Sequence, residues 1–139
     1  MAQPTASECL FCRIVAGEIP SRRVYEDAAA VAFLDIEPYK PGHTLVVSRR
    51  HVPDALADAE VLASLAPAVA ATGELLRERL GASGLNIVSN VGADAGQSVF
   101  HLHVHLIPRY ADDPGFGALV RRAPKACRAR RWAAPGTGR

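Results

Sequence analysis

Cysteine is scarce in this sequence, and it is not arranged as a disulfide framework. The chain of 139 residues has three cysteines, two of which, Cys9 and Cys12, stand in the short stretch CLFC. Small stapled domains carry many cysteines, whereas a chain of this length can bury a core of its own. The sequence therefore argues against a disulfide scaffold and predicts one self-stabilised domain.

Export signals and long apolar runs are missing as well. No apolar run approaches the length of a membrane span, and the opening residues MAQPTASECL lack a basic segment followed by an apolar core. Hydrophobic residues make up 49% and charged residues 22%, which is an ordinary globular balance. We therefore expect a cytoplasmic protein with no membrane partner.

Acidic residues are absent from the end of the chain. Residues 121–139 hold seven of the sixteen Lys and Arg and no Asp or Glu, so the rest carries nine basic and fourteen acidic side chains, about −5. A basic tail can dock a nucleic acid, but a solvated, partly disordered end is the simpler explanation. We predict a flexible arm at 1–8, a folded domain at 9–117 and a basic tail at 118–139, without a nucleic-acid partner.

The order of the strand-like and helical segments predicts an α+β domain. LFCRIVAGE indicates a short N-terminal helix. RRVYEDAAAVAFLDI indicates two strands around a Glu-Asp turn, and HTLVVSR a third. GLNIVSNV is predicted as the fourth strand and FHLHVHLIPR as the fifth, stopped by Pro108. These segments predict a five-stranded, mostly antiparallel sheet with one long helix covering one face.

The long helix is predicted between Asp54 and Leu80. Pro67 stands inside it and should kink or restart it, and Gly81 should end it. The apolar residues that recur at helical spacing, and should face the core, are Leu62, Leu65, Val69, Leu76 and Leu80.

Three of the five histidines stand on alternate positions of the fifth strand. His101, His103 and His105 therefore share one face, and the leucine and valine side chains between them face the core. Such a row can hold a catalytic metal, or it can supply an imidazole nucleophile whose neighbours bind phosphate oxygens. A row without a role is the least favoured explanation, since only five histidines are present to cluster by chance.

The residues before this row favour anion binding over a catalytic metal. The segment NVGADAGQSV is rich in small residues, and Gln97 and Ser98 add side-chain donors to its open backbone N–H groups. A metal shell would require carboxylates or further histidines. Donors beside a nucleophile suit charge stabilisation on a phosphoryl group, so no catalytic metal is expected.

The stretch GQSVFHLHVHLIPR resembles the signature of the histidine triad (HIT) family of nucleotide hydrolases and transferases. CLFCRIVAGEIPS, VYEDAAAVAFLDI, KPGHTLVVSRRH and GLNIVSNVGADAGQSVFH resemble, in order, blocks of its Hint branch and of the bacterial relatives of that branch. The resemblance covers about residues 9–117 and fades after GFG. It implies a HIT-like fold and a homodimer that binds a purine nucleotide or nucleotide conjugate, AMP-like or GMP-like.

The resemblance also implies the roles of individual residues. His103 matches the nucleophile, which attacks the α-phosphorus and forms a nucleotidyl-histidine intermediate that water hydrolyses. The third histidine of the motif is often glutamine in the transferase and phosphorylase branches, so His105 favours hydrolysis. The resemblance places His105 and Gln97 at the α-phosphate oxygens, His43 near the phosphate, Ser98 near the leaving group and Asn90 at the phosphate or ribose side. Asp35 matches the carboxylate at the ribose hydroxyls, and Ile14, Phe33 and Ile36 match residues around the base. Plain core packing explains these last three apolar residues equally well.

Cys9 and Cys12 need two more ligands to close a structural zinc site. His51, at the end of the third strand, and His101, at the start of the fifth, are the candidates, because neighbouring strands can bring these ends together. Several bacterial HIT proteins hold such a zinc, and all four positions are present here. Two unmetallated thiols are the alternative, and Cys127 has no visible partner.

Three functions remain open on the sequence. The resemblance favours a purine nucleoside phosphoramidase or a related nucleotidyl hydrolase. A dinucleoside polyphosphate hydrolase of the Fhit type, or a nucleotide-binding interaction module with little catalysis, would carry the same motifs. Trp132, in RRWAAPG, receives no role, and the leaving group and the base preference stay open.

Overall fold

The chain folds as an α+β domain, in which three strands precede the long helical segment and two strands follow it. The structure, a computed structural model, describes residues 8–118. Its helices and strands are α1 (Leu10–Val15), β1 (Arg23–Glu26), β2 (Ala30–Leu34), β3 (Thr44–Ser48), α2 (Ala59–Ser64), α3 (Ala66–Leu80), β4 (Gly84–Val88) and β5 (His103–Arg109). The strands form one sheet in the order β1-β2-β3-β5-β4, and each neighbouring pair is antiparallel. This confirms the predicted fold class and strand number.

Most of the predicted N-terminal arm and basic tail lies outside the described residues. Cys127, for which the sequence shows no partner, and Trp132, which receives no role, also lie outside the described residues.

The long helical segment is divided into α2 and α3 just before Pro67. Asp58 caps α2, because its Oδ1 accepts hydrogen bonds from the N–H groups of Glu60 and Val61 at 2.9 and 3.3 Å. Pro67 stands in the first turn of α3, where its missing N–H costs no hydrogen bond. Gly81 ends α3 with φ +69°, a left-handed conformation that favours glycine. The predicted start at Asp54 is too early, since Asp54 Oδ1 accepts from Leu56 N–H in a turn before α2.

The core on the α3 side is narrower than the leucine pattern predicts. Leu65 and Leu76 are buried against the sheet, but Leu62 and Leu80 are 38% and 44% exposed. Leu62 borders a surface groove, and Leu80 lies over Gly42, where an added Cβ would stand 2.2 Å from Leu80 Cδ1. Leu62 and Leu80, the first and last of the predicted core leucines, therefore lie at the groove and over the Gly42 loop instead of in the core.

A second apolar cluster covers the face that carries the histidines. Pairing across the strands places Val47 beside His103 and Leu45 beside His105, so these side chains share a face. The helix α1 lays Phe11 and Ile14 on that face, among the buried residues of this cluster. The histidine row does lie opposite the α3 core, as predicted, but it is covered and not solvated.

The strand β5 begins later and ends later than predicted. It starts at His103, so His101 precedes it, and it continues through Pro108 to Arg109. The prediction that Pro108 stops the strand is wrong. The ladder with β3 ends at Leu106, so Pro108 pairs only with Leu85 of β4, and a proline is tolerated where one side of a strand is unpaired.

The segment Ala59–Leu80 is long and apolar enough to cross a membrane by length and composition alone, contrary to the expectation from the sequence. In the fold it is divided into α2 and α3, and it lays Ala68, Thr72 and Leu76 against the sheet.

Candidate active site and metal centre

His103 stands at the start of the interior strand β5, with one ring nitrogen hydrogen-bonded and the other open. Its side chain is 6% exposed, and Nδ1 lies 2.7 Å from the backbone oxygen of His101. A carbonyl oxygen only accepts, so Nδ1 carries the proton and Nε2 keeps a lone pair. Burial lowers the pKa of His103, which favours the neutral ring. The edge-on ring of Phe11, 4.9 Å away, contributes to that burial.

His43 and His105 form a hydrogen-bonded pair whose direction is fixed from outside. The backbone N–H of Tyr39 donates to His43 Nδ1 at 3.1 Å, so a neutral His43 carries its proton on Nε2. That Nε2 lies 3.0 Å from His105 Nδ1, which must therefore accept. His105 is left with its own proton on Nε2.

The two neighbouring histidines of β5 are thus placed in opposite tautomers. His103 presents a bare Nε2, and His105 presents an Nε2–H donor. Desolvation lowers the pKa of His105 to about 4 and also lowers that of His43, so both rings are neutral near pH 7. A nucleophile beside a neutral donor is the combination that an attack on a phosphoryl group requires.

Asp35 completes this group at the end of β2. Its Oδ2 lies 3.6 Å from His43 Nε2, and its Oδ1 accepts from Glu37 N–H at 2.9 Å. One ligand atom from each of Asp35, His43 and His105 lies within 4.8 Å of the others, a spacing that suits a metal ion. The Tyr39 N–H opposes that use, because it keeps the His43 proton on the very nitrogen that would bind the metal.

The loop before β5 is shaped by glycines and by Gln97. Gly92 and Gly96 have φ of +90° and +97°, conformations that favour glycine. Gln97 is buried, its Oε1 accepts from Gly92 N–H, and its Nε2 donates to the backbone oxygens of Pro53 and Val99 at 2.7 and 3.1 Å. Both amide hydrogens are engaged, so Gln97 shapes the loop in this structure and offers no free donor.

The other predicted phosphate residues lie on the same loop. Asn90 Nδ2 stands 3.6 Å from the position of a Cβ on Gly96, so it borders the inside of the loop. Ser98 is exposed at its end.

The three apolar residues predicted around the base differ in solvent exposure: two are buried and one is exposed. Ile14 and Phe33 are 7% and 4% exposed and belong to the cluster beneath α1, where the Phe33 ring meets Phe11 edge-on at 5.8 Å. Ile36 is 93% exposed on the loop after β2. The structure therefore brings Ile14 and Phe33 together in packing and leaves Ile36 open beside Asp35.

The four predicted metal ligands converge at the other end of the histidine row. Sγ of Cys9 lies 3.3 Å from His101 Nδ1, Sγ of Cys12 lies 3.3 Å from His51 Nδ1, and the two Nδ1 atoms are 3.1 Å apart. Zn–S and Zn–N bonds of about 2.3 and 2.0–2.1 Å place tetrahedral S and N ligands roughly 3.6 Å apart. The cluster is thus slightly tighter than a zinc site and has its shape.

The outer contacts of this cluster fit a metal as well. His101 Nε2 lies 2.6 Å from the backbone oxygen of Ser48, so Nε2 carries the proton and the Nδ1 lone pair faces the sulfurs. Burial lowers the pKa of His101 to about 4 and raises that of the Cys12 thiol to about 11. These neutral forms describe the ligands without an ion, and a divalent cation would displace the thiol protons.

Four contacts of the site carry no sequence motif. The Phe11 ring packs on His103, Tyr39 N–H orients His43, the Ser48 carbonyl orients His101, and Ser89 Oγ donates to the His103 carbonyl at 2.7 Å. Tyr39 and Ser48 make their contacts through backbone groups, which are the same for every residue type. Only the fold reveals these two contacts. No sequence signal identified the contact of Phe11 with His103, because it depends on how α1 docks on the sheet.

Comparison with known proteins agrees with this geometry. The model of the HIT domain matches residues 16–112. The chain is 45% identical to Protein hit of Bacillus subtilis over 115 residues, which are 82% of this chain and 79% of that protein.

Two solved structures are similar in sequence and in fold. A zinc-bound histidine triad family protein from Mycobacterium smegmatis is 39% identical, with a TM-score of 0.74 over 79% of this chain and 81% of that one. A HIT family hydrolase from Clostridium thermocellum is 34% identical, with a TM-score of 0.66 over 79% of this chain and 97% of that one.

Proposed function

Because the chain belongs to the HIT family, we propose that it is a nucleotidyl hydrolase that cleaves purine nucleotide conjugates at the α-phosphate, as a nucleoside phosphoramidase does. One observation carries this proposal: the 2.7 Å hydrogen bond from His103 Nδ1–H to the His101 carbonyl, which leaves Nε2 free to attack. The similar protein from Clostridium thermocellum is a hydrolase of the same family, which supports this class of reaction.

In the first step, the Nε2 lone pair of His103 forms a bond to the α-phosphorus. The bond from phosphorus to the leaving group breaks, and its electron pair goes to the leaving nitrogen or oxygen, which takes up a proton from solvent; the water of the second step returns one proton to solvent. The imidazole gains positive charge, and the His101 carbonyl stabilises it through Nδ1–H. The Nε2–H of His105 donates to a phosphoryl oxygen, where negative charge builds up.

In the second step, water attacks phosphorus on the nucleotidyl-histidine. The P–N bond breaks, its electron pair returns to His103 Nε2, and a nucleoside monophosphate is released. Because the same ring receives and returns the group, His103 ends the cycle in its starting tautomer.

The remaining site residues bind the substrate in this proposal. Asp35, exposed enough at the end of β2 to be reached, accepts from the ribose hydroxyls. Asn90 and Ser98 donate to the phosphate side, while Gln97 acts by holding their loop. Ile14, Phe33 and Ile36 border the base, and of these three only Ile36 is open to solvent.

We also propose that Cys9, Cys12, His51 and His101 hold one structural Zn²⁺. The converging ligand atoms and the Ser48 carbonyl behind His101 support it, as does the zinc-bound relative from Mycobacterium smegmatis. The ion would tie α1 to the ends of β3 and β5, and no catalytic step passes through it. Both thiols are free, which fits the cytoplasmic location expected from the sequence.

The experiment that tests the activity is a comparison of two substrate classes. Purified protein is assayed with an adenosine phosphoramidate and with diadenosine polyphosphates, and kcat/KM is compared. We expect the phosphoramidate to be preferred. A preference for the dinucleotides would favour the Fhit-type hydrolase, and tight nucleotide binding without turnover of either class would favour the binding module.

A further inference from the structure

Two residues that follow β5 hold the loop between β2 and β3. Tyr110 Oη donates to the backbone oxygen of Pro41 at 2.9 Å, and the carboxylate of Asp113 pairs with Lys40 Nζ at 2.5 Å. Arg109 lies 3.6 Å from the same carboxylate. We call Tyr110 and Asp113 the clamp.

The clamp is itself well ordered by contacts between its members. Asp113 Oδ2 accepts from Tyr110 N–H at 2.7 Å, and Asp113 N–H donates to the Tyr110 oxygen at 3.1 Å. The Asp113 side chain is only 6% exposed, and the Lys40 ammonium holds the pKa of its carboxyl below the ordinary value. A carboxylate removed from water in this way keeps its cationic partners close.

The loop that the clamp holds carries the group that orients His43. Tyr39 donates its N–H to His43 Nδ1, and its ring stacks on the His43 ring at 5.4 Å and 20°. Lys40 and Pro41, the two residues that the clamp contacts, directly follow Tyr39. Lys40 also accepts from His43 N–H at 3.0 Å, so the loop closes on His43 from both sides.

We propose that Tyr110 and Asp113 are positioning residues of the active site. By holding Lys40 and Pro41 they keep the Tyr39 N–H on His43 Nδ1, which places the His43 proton on Nε2 and the His105 proton on the nitrogen that faces the substrate. This inference rests on the proposed function for its catalytic consequence, but the tautomers themselves exist in the free protein.

Release of the clamp would reverse the direction of the histidine pair. Without the Tyr39 donor, His43 can carry its proton on Nδ1 and accept on Nε2, and His105 then donates Nδ1–H to it. His105 would present a bare Nε2 to the substrate. A lone pair facing a phosphoryl oxygen repels it, so the transition state would lose a donor and gain a repulsion.

The test uses Tyr110→Phe/Asp113→Asn, with Asp112→Asn as the matched control. Asp112 is an exposed carboxylate beside the clamp with φ +77°, a conformation that asparagine also tolerates. ¹⁵N spectra of the imidazoles report which nitrogen of His43 and His105 carries the proton, and the assay gives kcat and KM. We expect the double variant to shift both rings toward the Nδ1–H form and to lose roughly tenfold in kcat with little change in KM. The control should match the wild type.

The ¹⁵N measurement either supports or overturns the role of the clamp. Unchanged ¹⁵N shifts in a folded double variant would overturn the proposal, even if kcat fell, because the clamp would then serve stability alone. If the double variant does not fold, the single variant Tyr110→Phe, which removes only one hydroxyl, gives the same readout. A wild-type protein without hydrolase activity would defeat the proposed function, while the ¹⁵N shifts would still support or refute the clamp.

Discussion

His103 and His105 are chemically identical side chains two residues apart, and their partners make them different reagents. The His101 carbonyl fixes the proton of one ring, and the Tyr39 N–H fixes that of the other through His43. In the proposed reaction, backbone groups therefore decide that His103 is the nucleophile and His105 the donor. Substitution of each histidine should consequently have a different effect.

Replacement of His103 tests the nucleophile. His103→Asn keeps a polar side chain but removes the attacking ring nitrogen, so turnover should be abolished while nucleotide affinity and the melting temperature stay close to those of the wild type. Steady-state kinetics, nucleotide titration and thermal melting check this. Turnover within about tenfold of the wild type in a preparation free of contaminating enzyme would refute the role of His103.

The buried pair His43–His105 should make the fold sensitive to moderate acid. The pKa of His105 is lowered from 6.5 to about 4, and that of His43 is lowered as well. Between pH 6.5 and about 4 the unfolded chain binds protons that the folded chain does not, so stability should fall as the pH falls through this window.

Thermal melts of the wild type and of His105→Gln, which cannot titrate, measure this effect. The melting temperature of the variant should fall less between pH 7 and pH 4.5 than that of the wild type. Parallel slopes in the two proteins would show that His105 is not the responsible group.

At the scale of elements, the sequence predicts the strands of the sheet well, but it does not predict how α1 packs over the histidine face. Period-two alternation correctly places the histidines on one face, and Pro67 correctly divides the helix. Nothing in the pattern of α1 shows that Phe11 covers His103, because that contact depends on docking between distant segments. The error at Pro108 has the same origin, since the length of the β3 ladder decides whether a strand tolerates proline.

The four proposed zinc ligands join α1 to the ends of β3 and β5, so removal of the proposed zinc should loosen the fold before it affects chemistry. Cys12→Ser should lower the melting temperature by roughly ten degrees, since zinc at a thousandfold excess over its Kd contributes about 4 kcal/mol. The activity loss should be smaller and indirect. Cys127→Ser is the matched control, because it makes the same substitution at a cysteine with no predicted ligand role.

Metal analysis and chelation complete this test. We expect one zinc per chain in protein purified without added metal. Substoichiometric zinc, with an unchanged melting temperature after chelation, would show that the cluster is not a metal site. Prompt loss of activity on chelation without unfolding would instead indicate a catalytic metal.

At the scale of the whole molecule, an apolar surface is open to solvent within residues 8–118. A shallow groove of about 750 Å³ runs between α3 and the edge strand β4. Its lining includes Leu62, Val69 and Ala70 on the helical side and Ile87, 60% exposed, on the strand. Alanine at position 70 allows a second helix to approach closely, so we propose that this groove is the homodimer interface implied by the family resemblance.

Light scattering tests the dimer. The wild type should be a dimer at micromolar concentration, and Ile87→Lys should shift it to the monomer, because a charge would be buried at the interface. Leu56→Lys is the matched control, since Leu56 is 78% exposed and lies outside the groove. A monomeric wild type, or an Ile87→Lys variant that remains a dimer, would contradict the assignment.

The proposed reaction requires a covalent bond between His103 Nε2 and the nucleotide. Mass spectrometry of the protein quenched at alkaline pH during turnover of an adenosine phosphoramidate tests it directly, since a phosphorus–imidazole bond survives in base and is cleaved in acid. We predict an adenylate adduct on the peptide that contains His103, lost on acid treatment and absent from His103→Asn. Turnover without an adduct at His103, or an adduct on a different residue, would contradict the account.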